Sequence, residues 1–393
     1  MARSLPLDYA VRNLARRPLR TVLSALASAL VAALLVAASA FVRGLDSTFA
    51  GAARDDVAIV LSSVAQRDVL RSTVSAGAGS LIEADVPEIL RVGGTPAVSS
   101  EIHSGTNVRL GPLSEARADE VAHPGFVRGV TDRAFLVHEA VTLIEGRPGR
   151  TGEVIVGRLA ARQMGVPEES LAVGKVLRFE GGEFTIVGRF AAPGTTIEAE
   201  IWAPLSELRG LTKRDDSSVV FVRVERPGEF AGLELFALRR LDLELVVIPS
   251  SLYYQELVAY FRPIRALAWI MAALIAGAAV FGGSNALNAA VQDRLRELAS
   301  LCAVGYSTWA LARSLAVEAL LVAAAGGVAG LALAKVALHG GSIRIAMSAF
   351  RLDADAHSVL VGFGGVLLLG LFGTAPAVIR IRRISIATAL KEP

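Results

Sequence analysis

The residues that could do chemistry are spread thinly along the chain and form no known catalytic pattern. His103, His123 and His138 lie mid-chain, with no repeated spacing suited to a metal ion or a nucleophile. Neither G-x-S-x-G nor H-E-x-x-H occurs, and the single cysteine, Cys302, cannot form an intrachain disulfide. We therefore expect these histidines and the many carboxylates to lie on the surface. We also expect a chain that is not an enzyme and has no catalytic, cofactor or metal site.

Four apolar runs organise the chain: Thr21–Val42, Ala266–Gln292, Ser314–Ala334 and Ser358–Ile379. Each has about twenty residues or more, enough for an α-helix to cross the roughly 30 Å hydrocarbon core of a membrane. They account for a mean hydropathy of +0.52. The net charge of +3 is too small to indicate a nucleic-acid partner. The pattern predicts one span, a large insert and then three spans.

Basic residues flank these runs on what we predict to be one side of the membrane. They are Arg3, Arg12, Arg16, Arg17 and Arg20 at the start, Arg294, Arg296 and Arg313 between the second and third runs, and Arg380, Arg382, Arg383 and Lys391 in the tail. The positive-inside rule makes that side the cytoplasm, which puts the insert outside. About twenty residues precede the first run, and it exceeds the usual length of a signal-peptide core. Both facts favour a membrane anchor over a cleaved signal peptide.

The predicted fold class is an α-helical membrane protein with four transmembrane helices (1+3) and a large α+β extracytoplasmic domain inserted between helices 1 and 2. Residues 1–20 form either an amphipathic cytoplasmic helix, which the spacing of Leu7, Val11 and Leu14 favours, or a basic leader. The other predicted segments are the first span 21–43, outer domain 44–263, second span 264–292, cytoplasmic connection 293–312, third span 313–335, short outer loop 336–357, fourth span 358–379 and cytoplasmic tail 380–393.

The insert alternates short β-type runs with helical stretches, and an α+β domain with two lobes fits this pattern. The predicted strands are Val57–Leu61, Phe126–Val130, Val154–Val156, Val176–Phe179, Phe184–Phe190, Val219–Val224 and Leu243–Ile248. Arg158–Met164 and Phe230–Leu241 are predicted helices, the first ending at Gly165. We expect Gly181 and Gly182 to form a hairpin turn.

The connection between the second and third runs contains an amphipathic pattern. Leu295, Leu298 and Leu301 recur at helical spacing and predict one apolar stripe, with a charged rim that includes Arg294 and Glu297. Such a helix either lies on lipid or occupies a groove of a partner protein. A lipid-lying helix usually has a basic polar face. The mixed charge of this rim therefore favours a protein partner that contacts the stripe.

Small residues in the spans predict close helix packing. Gly326 and Gly330 form a small-xxx-small pair and Gly327 adjoins it, although glycine is also generally tolerated in membrane helices. Glu318 is the one carboxylate within a predicted span, in the first turns at its cytoplasmic end. A proton or ion relay there would need further polar groups at membrane depth, and the sequence offers none.

Taken together, these segments resemble the permease subunit of an ABC transporter of the FtsX/MacB superfamily, also called type VII or mechanotransmission ABC proteins. The stretch RLRELASLCAVGYSTWALARSLAVEALLVAAAGGVAGLALA carries the most distinctive part of the resemblance. EVIVGRLAARQMGV and GGEFTIVGRF are similar to strands of the MacB-type periplasmic core domain. The matching residues in the first stretch are Arg294, Glu297, Leu298, Gly305, Glu318, Ala319, Gly326 and Gly327.

The resemblance implies a bacterial inner-membrane permease that pairs with a second copy or a homologue and sits on a dimer of a separate ABC ATPase. The segment Arg294–Leu301, followed by Gly305, would be the coupling helix. ATP and Mg²⁺ would be bound by the ATPase, since Gly174-Lys175 lacks the rest of a G-x-x-x-x-G-K-[ST] loop. The expected role is efflux, with a periplasmic adaptor, or lipoprotein release. The alternative is transmission of ATPase motion to a cell-wall hydrolase or signalling partner.

Overall fold

The computed structural model describes residues 7–65, 67–116, 119–339, 342–345, 348–352 and 354–382. Most of the predicted cytoplasmic tail therefore lies outside the described residues. The chain divides into two compact units. We call Met1–Arg43, Pro263–Gly341 and Leu352–Pro393 the helical unit, and Gly44–Arg262 with Ser342–Arg351 the sheet unit.

The helices found in the described residues are α1 Leu7–Arg16, α2 Pro18–Ala50, α3 Ala78–Asp85, α4 Ala134–Val137, α5 Ala160–Met164, α6 Leu205–Thr212, α7 Ala231–Arg239, α8 Ser250–Tyr260, α9 Arg262–Gln292, α10 Leu295–Ala303, α11 Thr308–Leu338 and α12 Ala356–Arg382. The strands are β1 Val57–Ser62, β2 Val74–Ser75, β3 Arg91–Val92, β4 Thr95–Pro96, β5 Val98–Leu110, β6 His123–Val130, β7 Thr142–Gly146, β8 Glu153–Gly157, β9 Val176–Phe179, β10 Gly182–Ala191, β11 Ile201–Pro204, β12 Asp216–Ser217, β13 Val219–Arg223, β14 Leu245–Pro249, β15 Ser342–Ile345 and β16 Ser348–Arg351.

Four helices among the described residues are long and apolar enough to cross a membrane: Pro18–Phe49, α9, α11 and α12. One lies near the N-terminus and three follow the large α/β domain, which confirms the predicted 1+3 arrangement. Each helix exceeds its apolar run by several residues. The extra turns carry polar residues at the ends, where backbone hydrogen bonds within the helix continue beyond the apolar sequence.

Glycines bring three of these helices into close contact. A Cβ atom at Gly326 would overlap the carbonyl oxygen of Ala25 in α2, and one at Gly330 would overlap that of Ala29. Gly327 lies on the other side of α11, against the ring of Phe363 in α12. Without side chains at these positions, the backbones of α2, α11 and α12 approach one another closely, as small-residue motifs allow in membranes.

The sheet unit is built on a sheet of ten strands in the order β14-β1-β13-β5-β6-β11-β8-β10-β7, with β9 paired to β10 and β5. Strand β5 joins two lobes. Its first residues pair with β13, and from Ile102 onward it pairs with β6. One apolar core includes Val60, Val220 and Phe236, and the other includes Val156 and Phe184.

The seven strands predicted from sequence all coincide with observed strands, and Gly165 ends α5 in the left-handed conformation with φ of 73°. Two predictions need correction. The turn between β9 and β10 consists of Glu180 and Gly181, with φ of 50° and 78°, because Gly182 already belongs to β10. The outer connection 336–357 is not only a loop, since β15 and β16 pair as an antiparallel hairpin.

This hairpin belongs to the sheet unit rather than to the helices on either side of it in sequence. Its backbone lies beside α5 and the 3-10 turn Thr196–Ala199. The sheet unit is therefore built from two separate segments of the chain, the large insert and this hairpin.

Candidate functional site

The connection between α9 and α11 is a short helix with defined ends. Arg294 immediately precedes α10. After α10, Gly305 has a φ of 103° that favours glycine, and the next amide, at Tyr306, donates a hydrogen bond back to the Leu301 carbonyl. Ser307 then caps α11 by accepting a hydrogen bond from the Ala310 amide at 3.2 Å. The turn from α10 into α11 is thus fixed by local hydrogen bonds and by the conformation of Gly305.

The apolar side of α10 faces the chain's own helices. Leu298 is 9% exposed and packs with Val291, Leu311 and Ile381, and Leu301 packs against the same cluster. The expectation that this stripe faces a partner protein is corrected by this burial. The physical reason is that α9, α11 and α12 end beside α10 and offer apolar side chains that remove Leu298 from water.

The opposite face of α10 is exposed. Arg296, Ser300, Ala303 and Val304 follow the i, i+4, i+7, i+8 spacing of one helical face. Val304 is 67% exposed, and Trp309, the second residue of α11, is 70% exposed. We call these five residues the α10 outer face. The thiol of Cys302 is not part of it, and burial raises the pKa of that thiol, which disfavours the reactive thiolate.

The polar rim of α10 meets α1. The Tyr9 hydroxyl donates a hydrogen bond to Glu297 at 2.7 Å. Burial, followed by this carboxylate acceptor, raises the pKa of Tyr9 to about 12, so the hydroxyl keeps its proton at neutral pH. Arg17 pairs with Asp293 at 2.7 Å, just before α10.

Glu318 has partners that sequence reasoning did not find. Its carboxylate accepts a hydrogen bond from the Asn13 amide at 2.5 Å, and Arg294 lies 3.7 Å away. Because α11 begins at Thr308, Glu318 lies in the third turn of this helix. Tyr9, Asn13 and Arg17 recur every four residues, and that spacing was a signal in the sequence that could have identified this polar face.

A second polar cluster lies inside the sheet unit. Arg128 donates hydrogen bonds to both oxygens of Glu200 at 2.6 and 2.7 Å, and a third to Glu101 at 2.6 Å. The same Glu101 carboxylate contacts His138 at 2.8 Å and His103 at 3.3 Å. All five side chains are buried or nearly so, which corrects the expectation that the histidines and carboxylates here are solvated.

This cluster is internally satisfied, which favours a role in holding the sheet unit together. Burial alone would raise the pKa of Glu101, but His138 and Arg128 outweigh it and hold that pKa well below its usual range. His123 lies apart and is half-buried. In the described part of the chain, no group of three histidine, cysteine or carboxylate side chains is placed to hold a metal ion.

Two family models match the chain. The MacB-like periplasmic core domain matches residues 21–231, and the C-terminal FtsX-like permease domain matches residues 269–386. The chain belongs to the FtsX/MacB-like family of ABC permeases. The resemblance to the FtsX/MacB superfamily that the sequence indicated is therefore confirmed. The four candidate spans and the MacB-like domain fit a membrane protein with an extracytoplasmic domain.

Two solved structures are similar to about half of this chain. The periplasmic region of MacB from Actinobacillus actinomycetemcomitans is 12% identical, with a TM-score of 0.38 over 51% of this chain and 92% of that one. The extracellular domain of the noncanonic ABC-type transporter YknZ from Gram-positive bacteria is 12% identical, with a TM-score of 0.36 over 49% and 99%. No curated protein matches the chain significantly.

The two polar clusters fall into different parts of the family pattern. The α10 region lies within the stretch matched by the FtsX-like permease domain, and the Glu101 cluster lies within the MacB-like core. FtsX/MacB-like permeases work with ABC ATPases, and the α10 region is the candidate contact for such a partner. Of the residues predicted for it, Arg294 and Glu297 bind polar partners and Leu298 and Leu301 pack inward, while Leu295 is half-buried and Gly305 ends the segment.

Proposed function

We propose that this chain is the permease subunit that couples ATP hydrolysis on a separate ATPase to motion of its extracytoplasmic domain. The observation that carries the proposal is that α10 is buried on one face and exposed on the other. Its inner face is packed into the helical bundle through Leu298, while its outer face is exposed. A partner that pushes on the outer face would therefore displace α9, α11 and α12 together, because packed interiors transmit displacement.

The α10 outer face has the chemistry of a docking surface. Val304 and Trp309 are large exposed apolar side chains, and Arg296 supplies a cation beside them. Aromatic residues and arginine are enriched at protein interfaces, and short amphipathic helices commonly bind in grooves. The ABC ATPase is the partner that the family supplies. On this proposal ATP and Mg²⁺ bind to that ATPase, and the permease has no catalytic residue of its own.

A second copy of the chain, or a homologue, is the proposed neighbour in the membrane. Of the four candidate spans, α9 buries the smallest share of its apolar sequence. Leu267, Ile270, Met271 and Leu274 are all exposed and follow one helical face. Lipid covers apolar helices, but a stripe at this spacing also suits a helix of a second permease, which would place two permeases over an ATPase dimer.

The proposed orientation has both termini in the cytoplasm of a bacterium and the sheet unit outside the inner membrane. Motion of the sheet unit would then drive efflux through a periplasmic adaptor or the release of a lipoprotein. The arrangement of basic residues around the spans supports this orientation.

Placing negative charge on the α10 outer face tests the proposal. We expect Arg296→Glu combined with Val304→Glu to reduce permease-stimulated ATPase activity at least tenfold, a loss of about 1.4 kcal/mol of interaction or more. The protein should still insert and melt as the wild type does, because neither side chain is buried. Activity would be measured on the permease reconstituted with the ABC ATPase that co-purifies with it.

Arg12→Glu is the matched control, since Arg12 is an exposed arginine on the same predicted side of the membrane. Full stimulation in the double variant would contradict docking at this face. Co-purification of a cell-wall hydrolase in place of an adaptor would support signalling as the output while leaving the coupling step unchanged.

A further inference from the structure

Helix α1 is fastened to the α10 region by three polar contacts, each to a different segment. Tyr9 donates to Glu297 in α10 at 2.7 Å, and Asn13 donates to Glu318 in α11 at 2.5 Å. Arg17 pairs with Asp293 at 2.7 Å, in the turn that links α9 to α10. We call these three contacts the α1 clamp.

The clamp occupies the polar face that a simple surface helix would present to water. Asn13 is only 4% exposed, whereas Val11, on another side of the helix, is 55% exposed. All three acceptors are carboxylates, and hydrogen bonds to ionised acceptors are shorter and stronger than those between neutral groups. A basic leader that serves only to orient the chain would not need a buried amide bonded to a carboxylate in α11.

The clamp is directly connected to the first span. Helix α1 ends at Arg16 and α2 begins at Pro18, so one residue, Arg17, separates them. Arg17 itself belongs to the clamp. Movement of α10 would therefore pull on α1 and, through this single residue, on α2.

We infer that α1 is a second arm of the coupling device and transmits displacement of α10 to the first span. This inference rests on the proposed function for its source of motion. It adds a polar route that reaches the start of α2 directly, besides the glycine-mediated packing of α2 against α11 and α12. Tyr9, Asn13 and Arg17 are positioning residues on that route.

The first experiment tests the clamp without any ATPase. Backbone amide exchange of α1 would be measured by mass spectrometry on the full chain in lipid nanodiscs. We expect Tyr9→Phe and Asn13→Ala each to speed exchange in residues 7–16 by about fivefold, the effect of losing one hydrogen bond. Arg12→Gln is the control and should leave exchange unchanged. Exchange at the wild-type rate in both clamp variants would overturn the inference.

The second experiment tests transmission and uses an exposed pair that can be reversed without disturbing the fold. With the ABC ATPase bound, addition of ATP should change amide exchange in α10 and α1 together. In Arg17→Asp the α1 response should weaken, because only the Tyr9 and Asn13 contacts remain, while the α10 response should stay unchanged. Combining Arg17→Asp with Asp293→Arg should restore the α1 response.

The two possible failures can be told apart. An α1 response that is undiminished in Arg17→Asp, or a weakened one that the reversed pair does not restore, overturns the transmission role alone. Absence of any ATP response in α10 of the wild-type complex overturns the proposed function and the transmission role with it. In that case the first experiment still decides whether the clamp exists.

Discussion

Glu101 occupies an unusual place for a carboxylate, at the junction of the two lobes of the sheet unit. It is the last residue of β5 that pairs with β13, and it binds Arg128 from β6 and His138 after α4. A buried charge is tolerated only when it is paired and hydrogen-bonded. Removing one partner would leave the others uncompensated, so the cluster fixes the relative placement of these strands.

The same cluster predicts that acid weakens the sheet unit. Burial and then the charge of Arg128 lower the pKa of His103, so below about 6.5 the unfolded chain binds this proton more readily than the folded one. The lowered pKa of Glu101 acts in the same direction at lower pH, since its contribution is lost as the carboxylate is protonated. Stability should therefore fall as pH falls from 7 to 5.

His103→Gln should flatten that fall, because glutamine does not titrate. The expected difference approaches, at most, about 1.4 kcal/mol per pH unit between pH 6.5 and 5. It would be measured as the pH dependence of the melting temperature of the full chain. His123→Gln is the control and should melt with the wild-type pH dependence. An unchanged slope in His103→Gln would remove His103 as the responsible group.

At the scale of single elements, strands whose buried side chains are apolar could be predicted from the sequence. Strands such as β1 and β13 are runs of valine, isoleucine and phenylalanine, and they were predicted. The long strand β5 was missed because it reads VSSEIHSGTNVRL and buries Ser99, Glu101 and His103. Partners distant in sequence, Arg128 on the neighbouring strand and His138 after α4, make the burial of Glu101 favourable. Pairing between distant segments cannot be read from local patterns.

The direction of the α10 apolar stripe was missed for a related reason. Periodicity shows that a helix has an apolar side, but it does not show which surface covers that side. The chain's own α9, α11 and α12 cover Leu298, which leaves the α10 outer face for a partner. The helix itself and its ends at Arg294 and Gly305 followed from the sequence.

Close packing of α11 against α2 depends on Gly330, which has no side chain to keep the two helices apart. Gly330→Leu should destabilise the helical unit by about 1–3 kcal/mol, the usual cost of overpacking. Any side chain there overlaps the backbone of Ala29 and the methyl group of Ala32. The measurement is resistance to thermal unfolding in detergent micelles.

Gly364→Leu is the matched control, because no atom lies within 4 Å of a Cβ at that position in α12. It removes the same backbone freedom from a membrane helix without creating an overlap. Equal stability of the two variants would mean that close approach of α2 and α11 contributes little to the fold.

At the scale of the whole molecule, the chain passes between the helical and sheet units at four points rather than two. The boundaries fall at Arg43/Gly44, Arg262/Pro263, Gly341/Ser342 and Arg351/Leu352. The first two were expected from the layout of spans. The other two arise from the β15–β16 hairpin, whose ten-residue segment is too short and too mixed in composition to predict its place in the sheet unit. On the proposed function, motion could therefore enter the sheet unit through the hairpin as well as through the ends of the insert.

If two permeases pair through α9, cysteines placed on its exposed face should link them. In a Cys302→Ala background, Ile270→Cys and Leu274→Cys should form disulfide-linked dimers on mild oxidation in native membranes. Both side chains are more than half exposed and lie on one face of the helix. Disulfides require Cα atoms within about 7 Å, so efficient linkage reports a specific interface.

Leu360→Cys in α12 is the control, since Leu360 is even more exposed but lies outside the α9 stripe. Linkage at Ile270 and Leu274 but not at Leu360 would place α9 at the interface. Equal linkage at all three positions would indicate random collision. Linkage at none would leave lipid as the covering of α9 and require a different surface to join the two permeases above the ATPase dimer.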